Sequence, residues 1–125
     1  MSSIDAEPNG VGSGRAYVVF GKSSGTAVDL ASVTAGTGGF IINGTVAGSE
    51  TGNSVSGAGD VNGDGKDDVI VGAKSASPNG PSSGQCYVVF GKSTTSAVDA
   101  SSIIAGTGGF AINGKDIFDA AGGSV

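Results

Sequence analysis

The stretch "YVVFGKS" stands at 17–23 and again at 87–93, "AGTGGF" at 35–40 and 105–110, and "PNG" at 8–10 and 78–80. Every pair is separated by 70 positions, and residues 8–55 laid over 78–125 agree at 28 of 48 sites. A chain that repeats itself at such an interval is built from copies of one structural unit, and that outranks any local reading. The two copies must therefore adopt the same fold.

Glycine decides what kind of unit this is. It fills 25 of the 125 positions, yet apolar residues still make up 38% of the chain. Many turns combined with enough Val, Ile and Phe point to short strands rather than to disorder. One unit reads as four of them. "SVSGAGDV" (54–61) runs into an acidic loop, and "DVIVGA" (68–73) leaves it as a short buried run. "QCYVVFG" (85–91) alternates, with Cys86, Val88 and Phe90 on one face and Tyr87 and Val89 on the other. "FAING" (110–114), like its equivalent "FIING" (40–44), is the fourth. Phe and Ile are kept at 40/110 and 42/112 while Ile41 becomes Ala111, so the unchanged pair is expected to face the core. The connection "KSSGTAVDLASVTAGTGG" (22–39) crosses the surface, with room for one helical turn near "VDLAS". Four short antiparallel strands per repeat are the pattern of a β-propeller blade.

The acidic loop is the chemical feature of the chain. In "GDVNGDGKDDVIVGA" (59–73), oxygen-bearing side chains fall at Asp60, Asn62 and Asp64, and Asp68 follows four residues later. Gly63 and Gly65 lie between them, where the backbone must turn sharply. Such spacing curls several oxygens around one point. Ca²⁺ is a hard cation taking about 6–8 oxygen ligands in forgiving geometry. Asp60, Asn62, Asp64 and Asp68 offer side-chain oxygens, Lys66 its backbone carbonyl, and three carboxylates balance two positive charges well. Mg²⁺ suits the loop less because it demands stricter octahedral geometry. A plain hairpin turn does not need acids at its first, fifth and ninth positions. An EF-hand is excluded, because its twelfth position is Val71 and a strand pattern follows.

Other chemistry has little material. The net charge is −5, but four of the eleven acids sit in this one loop. No basic patch suits nucleic acid. His is absent, so neither a Ser-His-Asp arrangement nor a Cys/His metal site can form, and a single Cys excludes an internal disulfide. No run approaches the ~20 apolar residues of a membrane span. The opening "MSSIDAEPNG" has no apolar signal segment, so if the protein is exported, the signal lies elsewhere or the route uses none. Cys86 aligns with Ala16 and reads as a small packing residue; Asn43-Gly44-Thr45 matches a glycosylation sequon but reads as a turn. Asp116 and Asp119 show no spacing that argues for catalysis.

"GNSVSGAGDVNGDGKDDVIVGA" followed by "YVVFG" resembles the FG-GAP repeat of integrin α-chain β-propellers and their bacterial relatives. The 70-residue unit is most similar to repeats of large secreted bacterial proteins. The resemblance implies a calcium loop between the first two strands of each blade, with ligands on Asp60, Asn62, Asp64, Lys66 (carbonyl) and Asp68. The family has Phe where this chain has Thr51 and Ala121, and Pro where it has Lys74; these departures touch packing between blades.

The expected architecture is all-β: blades of four antiparallel strands, about one complete blade plus part of another, as an open fragment. Residues 1–52 form a partial blade with strands three and four and their connection, 53–116 a complete blade with the calcium loop, and 117–125 the start of the next. A closed propeller needs at least ~4 blades, so partners are expected to be further blades in cis or other copies of the chain. The expected function is non-catalytic: a calcium-stabilised module of a secreted or cell-surface protein, used in cell adhesion or scaffolding, with an extracellular protein or glycan as ligand. The alternative is an accessory propeller of an extracellular hydrolase acting on polysaccharide or phospholipid.

Overall fold

The structure, a computed structural model, describes Ser2–Ser3 and residues 7–125. Among the described residues, eight strands form two four-stranded sheets. The second sheet is the complete unit: β4 (Val55–Gly59), β5 (Asp68–Ala73), β6 (Gln85–Val89) and β8 (Gly109–Asn113), hydrogen-bonded in that order and antiparallel throughout. These are the four strands that the alternation and the turn residues predict. A bulge falls between Gly57 and Gly59, where β4 enters the acidic loop. β6 is buried along all five residues, as suits a β-branched and aromatic run at the centre of a sheet.

The first sheet has the order β1 (Ser2–Ser3), β2 (Arg15–Val19), β3 (Gly39–Asn43), β7 (Val98–Asp99). Two features depart from expectation. The first copy holds more than strands three and four. Ser2 pairs with Ala16 and Ser3 with Arg15, as Gly72 pairs with Cys86 and Ala73 with Gln85, so β1 is the end of a second strand. The other departure is β7. It comes from the second copy, yet it adds in parallel beside β3, with Val98 opposite Ile42 and Asp99 opposite Asn43. The connection between strands three and four thus serves the neighbouring sheet before it folds into a helix. Those helices, α1 (Leu30–Thr34) and α2 (Ala100–Ile104), are the predicted turn in each copy.

The core lies between the two sheets. Ala16, Phe40 and Ile42 of the first meet Val71, Ala73, Tyr87 and Val89 of the second, with Ala100 and Ile103 of α2. Alternation assigns these faces correctly: the even positions of β2 and β3 look toward the odd positions of β5 and β6. Lys92 carries its ammonium 4.6 Å from the Phe40 ring centroid, across the same seam.

The expectation that the unchanged Phe/Ile pair faces the core holds in the first copy only. Phe40 and Ile42 are 2% and 0% exposed, whereas Phe110 and Ile112 are 40% and 46% exposed. The same residues on equivalent strands differ because Phe40 and Ile42 lie in the core between the two sheets, whereas Phe110 and Ile112 stand on the edge strand β8 outside it. The departures at the blade seams are accommodated by polar contacts. Thr51 is fully buried with its hydroxyl 3.2 Å from that of Ser49, and Lys74 pairs with Glu50 at 3.2 Å.

Candidate metal loop

The acidic loop joins β4 to β5, and its residues 60–67 are exposed. Its shape comes from carboxylates accepting main-chain N–H bonds. Asp60 accepts from Asp64 N (3.0 Å) and from Gly65 N (2.8 Å) through its two oxygens. Asn62 Oδ1 also accepts from Asp64 N, at 3.1 Å, and its amide donates to Asp64 Oδ2 at 3.3 Å. Asp64 Oδ1 accepts from Lys66 N at 2.9 Å. Gly63 and Gly65 take φ of 76° and 86°, the left-handed conformation that lets the chain double back on itself. Asp60, Asn62 and Asp64 are thereby gathered by the turn itself.

Asp68 plays a different part. It opens β5 and is fully buried. Its Oδ2 accepts from Val61 N at 2.8 Å, and its Oδ1 from Gly91 N at 2.7 Å. One carboxylate therefore ties the loop entry to the segment just beyond β6. The Gly91 amide is the main cause holding the Asp68 carboxyl below its ordinary value of 3.8; burial opposes it, and the Val61 and Asn62 amides assist. Asp68 stays charged at neutral pH.

Among the described residues, no three acidic, His or Cys side chains converge on one point, so the aspartates hold a gathered loop rather than a closed cage. Neither described ion pair, Lys74–Glu50 or Lys115–Asp116, involves a loop aspartate. The donor set remains of one kind: carboxylate, amide and carbonyl oxygens on Asp60, Asn62, Asp64, Lys66 and Asp68, with no nitrogen or sulfur donor among them. That chemistry fits a hard divalent cation, and calcium tolerates the mixed and flexible geometry. Asp67, the third aspartate of the run and the one outside the candidate ligand set, is exposed.

Residues 51–89 match the family model of the FG-GAP repeat. This segment is similar to that repeat along the whole of the matched stretch. The match spans β4, the acidic loop, β5, the following link and β6. It reaches the repeat itself and no bacterial secreted subtype. No curated protein and no solved structure matches the chain.

The remaining candidate groups take structural roles around the matched segment. Cys86 is buried, and burial pushes its thiol up, away from a reactive thiolate. Asn43 of the sequon accepts from Arg15 Nε at 2.8 Å and donates to Asp99 Oδ1 at 3.1 Å. Asp119 accepts from the N–H groups of Lys115 and Asp116, closing a turn. Sequence reasoning missed two residues. Gly91 anchors Asp68 from 23 positions away, too far for a local pattern. Asp99 bonds the neighbouring sheet; its signal was present, since "AVD" survives at 27–29 and 97–99 while flanking residues change.

Proposed function

We propose that the chain is a calcium-stabilised β-propeller repeat module of a secreted or cell-surface protein, serving adhesion or scaffolding without chemistry of its own. The observation that carries this reading is the loop. It commits three carboxylates, Asp60, Asp64 and Asp68, to one nine-residue segment at the head of the β4–β5 hairpin, without an ion pair among the described residues. Asp60, Asn62, Asp64 and Asp68, with the Lys66 carbonyl, would hold one Ca²⁺. The ion relieves the mutual repulsion of the carboxylates and fixes the hairpin against β6 through Asp68. Extracellular calcium modules work with Kd of about 10⁻⁴–10⁻³ M, which agrees with a loop as exposed as this one. Its partners are further blades in cis or other copies of the chain, with an extracellular protein or glycan as ligand.

Calorimetric titration with Ca²⁺ tests the reading. The chain is expected to take up one ion, and Asp64→Ala to abolish the heat. No binding by the wild type, equal binding by the variant, or two ions per chain would each contradict it.

A further inference from the structure

The seam inside the chain is made of two halves, and the chain displays each half a second time at its outer faces. The receiving half is Phe40, Ile42 and Asn43. Against it the second copy sets Val98 and Asp99 as a parallel strand, Asp99 Oδ1 accepting from Asn43 Nδ2 at 3.1 Å, and Lys92 over the Phe40 ring. All six residues recur unchanged at the offset of 70: Phe110, Ile112 and Asn113 on β8, and Lys22, Val28 and Asp29 in the first connection.

Both displayed halves lie open. Phe110 and Ile112 are 40% and 46% exposed, Val28 is 39% exposed, and Lys22, Asp29 and Asn113 are exposed as well. Asp29 and Asp99 also share an unusual disposition. Each stands before a helix in extended conformation, yet neither side chain caps it. Asp99 spends its carboxylate on Asn43 instead, and Asp29 is placed to do the same for an Asn beyond its own sheet.

We propose that the open face of the second sheet receives the first sheet of a second copy of this chain, with that copy's Val28–Asp29 added in parallel beside Ile112–Asn113. The contact continues the internal seam, so Asp29 meets Asn113 and Lys22 covers Phe110. It is head-to-tail rather than two-fold: the patch on one copy is not the patch on its partner. Successive copies therefore build a ring or an open filament. The inference deepens the partner part of the proposed function and rests on the blade reading, not on calcium.

Sedimentation velocity of the full chain over a wide concentration range, in Ca²⁺ and in chelator, tests it with two blocked variants. Ile112→Lys spoils the receiving face, and Val28→Glu spoils the inserted one. Wild type is expected to gain sedimentation coefficient with concentration. Each variant alone stays monomeric with wild-type circular dichroism, and an equimolar mixture restores a discrete dimer, because each retains the half the other lacks. Asn113→Asp, which sets a second carboxylate against Asp29 and leaves apolar packing alone, is expected to weaken association too. A wild type that stays monomeric throughout overturns the proposal and assigns the face to a blade in cis. Association of Ile112→Lys alone overturns it as well, as does a mixture that stays monomeric. Ca²⁺ uptake measured by calorimetry stands or falls separately from all of these.

Discussion

Asp68 is one carboxylate serving three segments of the second repeat: the β4–β5 loop, β5 itself and the residue pair beyond β6. Its folded-state pKa lies below the ordinary 3.8, chiefly through the Gly91 amide, so the charged form is the one that folding favours. The sign follows from linkage: the stabilisation is complete above the unfolded pKa and is lost as pH falls through the lower folded value. Asn at this position can accept only one of the two N–H bonds through its carbonyl oxygen. Asp68→Asn is therefore expected to be less stable than wild type at neutral pH, with the gap closing as the solution is taken below about pH 4. Urea unfolding of both proteins from pH 7 to pH 2.5 measures it, and a gap independent of pH would contradict this account. Sequence inspection could place Asp68 in an oxygen-rich spacing. It could not reveal the bond to Gly91, because that contact exists only once β5 and β6 are paired.

At the scale of the element, the repeat supplies its own control. Phe40 and Phe110 occupy the same position of equivalent strands, each beside a second Phe at centroid distances of 6.0 and 6.2 Å. Only Phe40 has a neighbouring sheet over it. Phe40→Ala is expected to cost about 3–5 kcal/mol, the usual range for emptying a buried aromatic site. Phe110→Ala, partly exposed, is expected to cost about 1 kcal/mol or less under conditions where the chain is monomeric. Denaturant midpoints of the two variants check this, and equal losses would show that the sheets do not stack as described. The strands of the complete unit were legible because a half-buried strand must alternate and turns must carry Gly, Asn or Pro. The strand β7 was not, since two residues carry no periodicity and their partners lie 56 positions away. The exposure of Phe110 was equally hidden, because an internal repeat reveals which residues are alike but not which of them has a neighbour.

For the whole molecule, two sheets stacked face to face leave a further face open on either side, and the acidic loop stands at the head of the complete sheet. The all-β blade architecture could be inferred from the 70-residue repeat and the four-strand pattern; the exchange of β7 across the seam, which makes the two units one folded body, could not. If the loop is an ion site that holds the β4–β5 hairpin to β6, then calcium must stabilise the folded chain and not merely decorate it. A ligand that binds only the folded state at 100 times its Kd adds about 2.7 kcal/mol. The direct measurement is thermal unfolding of the wild type and of Asp64→Ala, each in millimolar Ca²⁺ and in chelator, at a concentration where the chain is monomeric. The account predicts that Ca²⁺ raises the wild-type midpoint by several degrees and leaves that of Asp64→Ala unmoved. A wild-type midpoint that is the same with and without Ca²⁺ would contradict it.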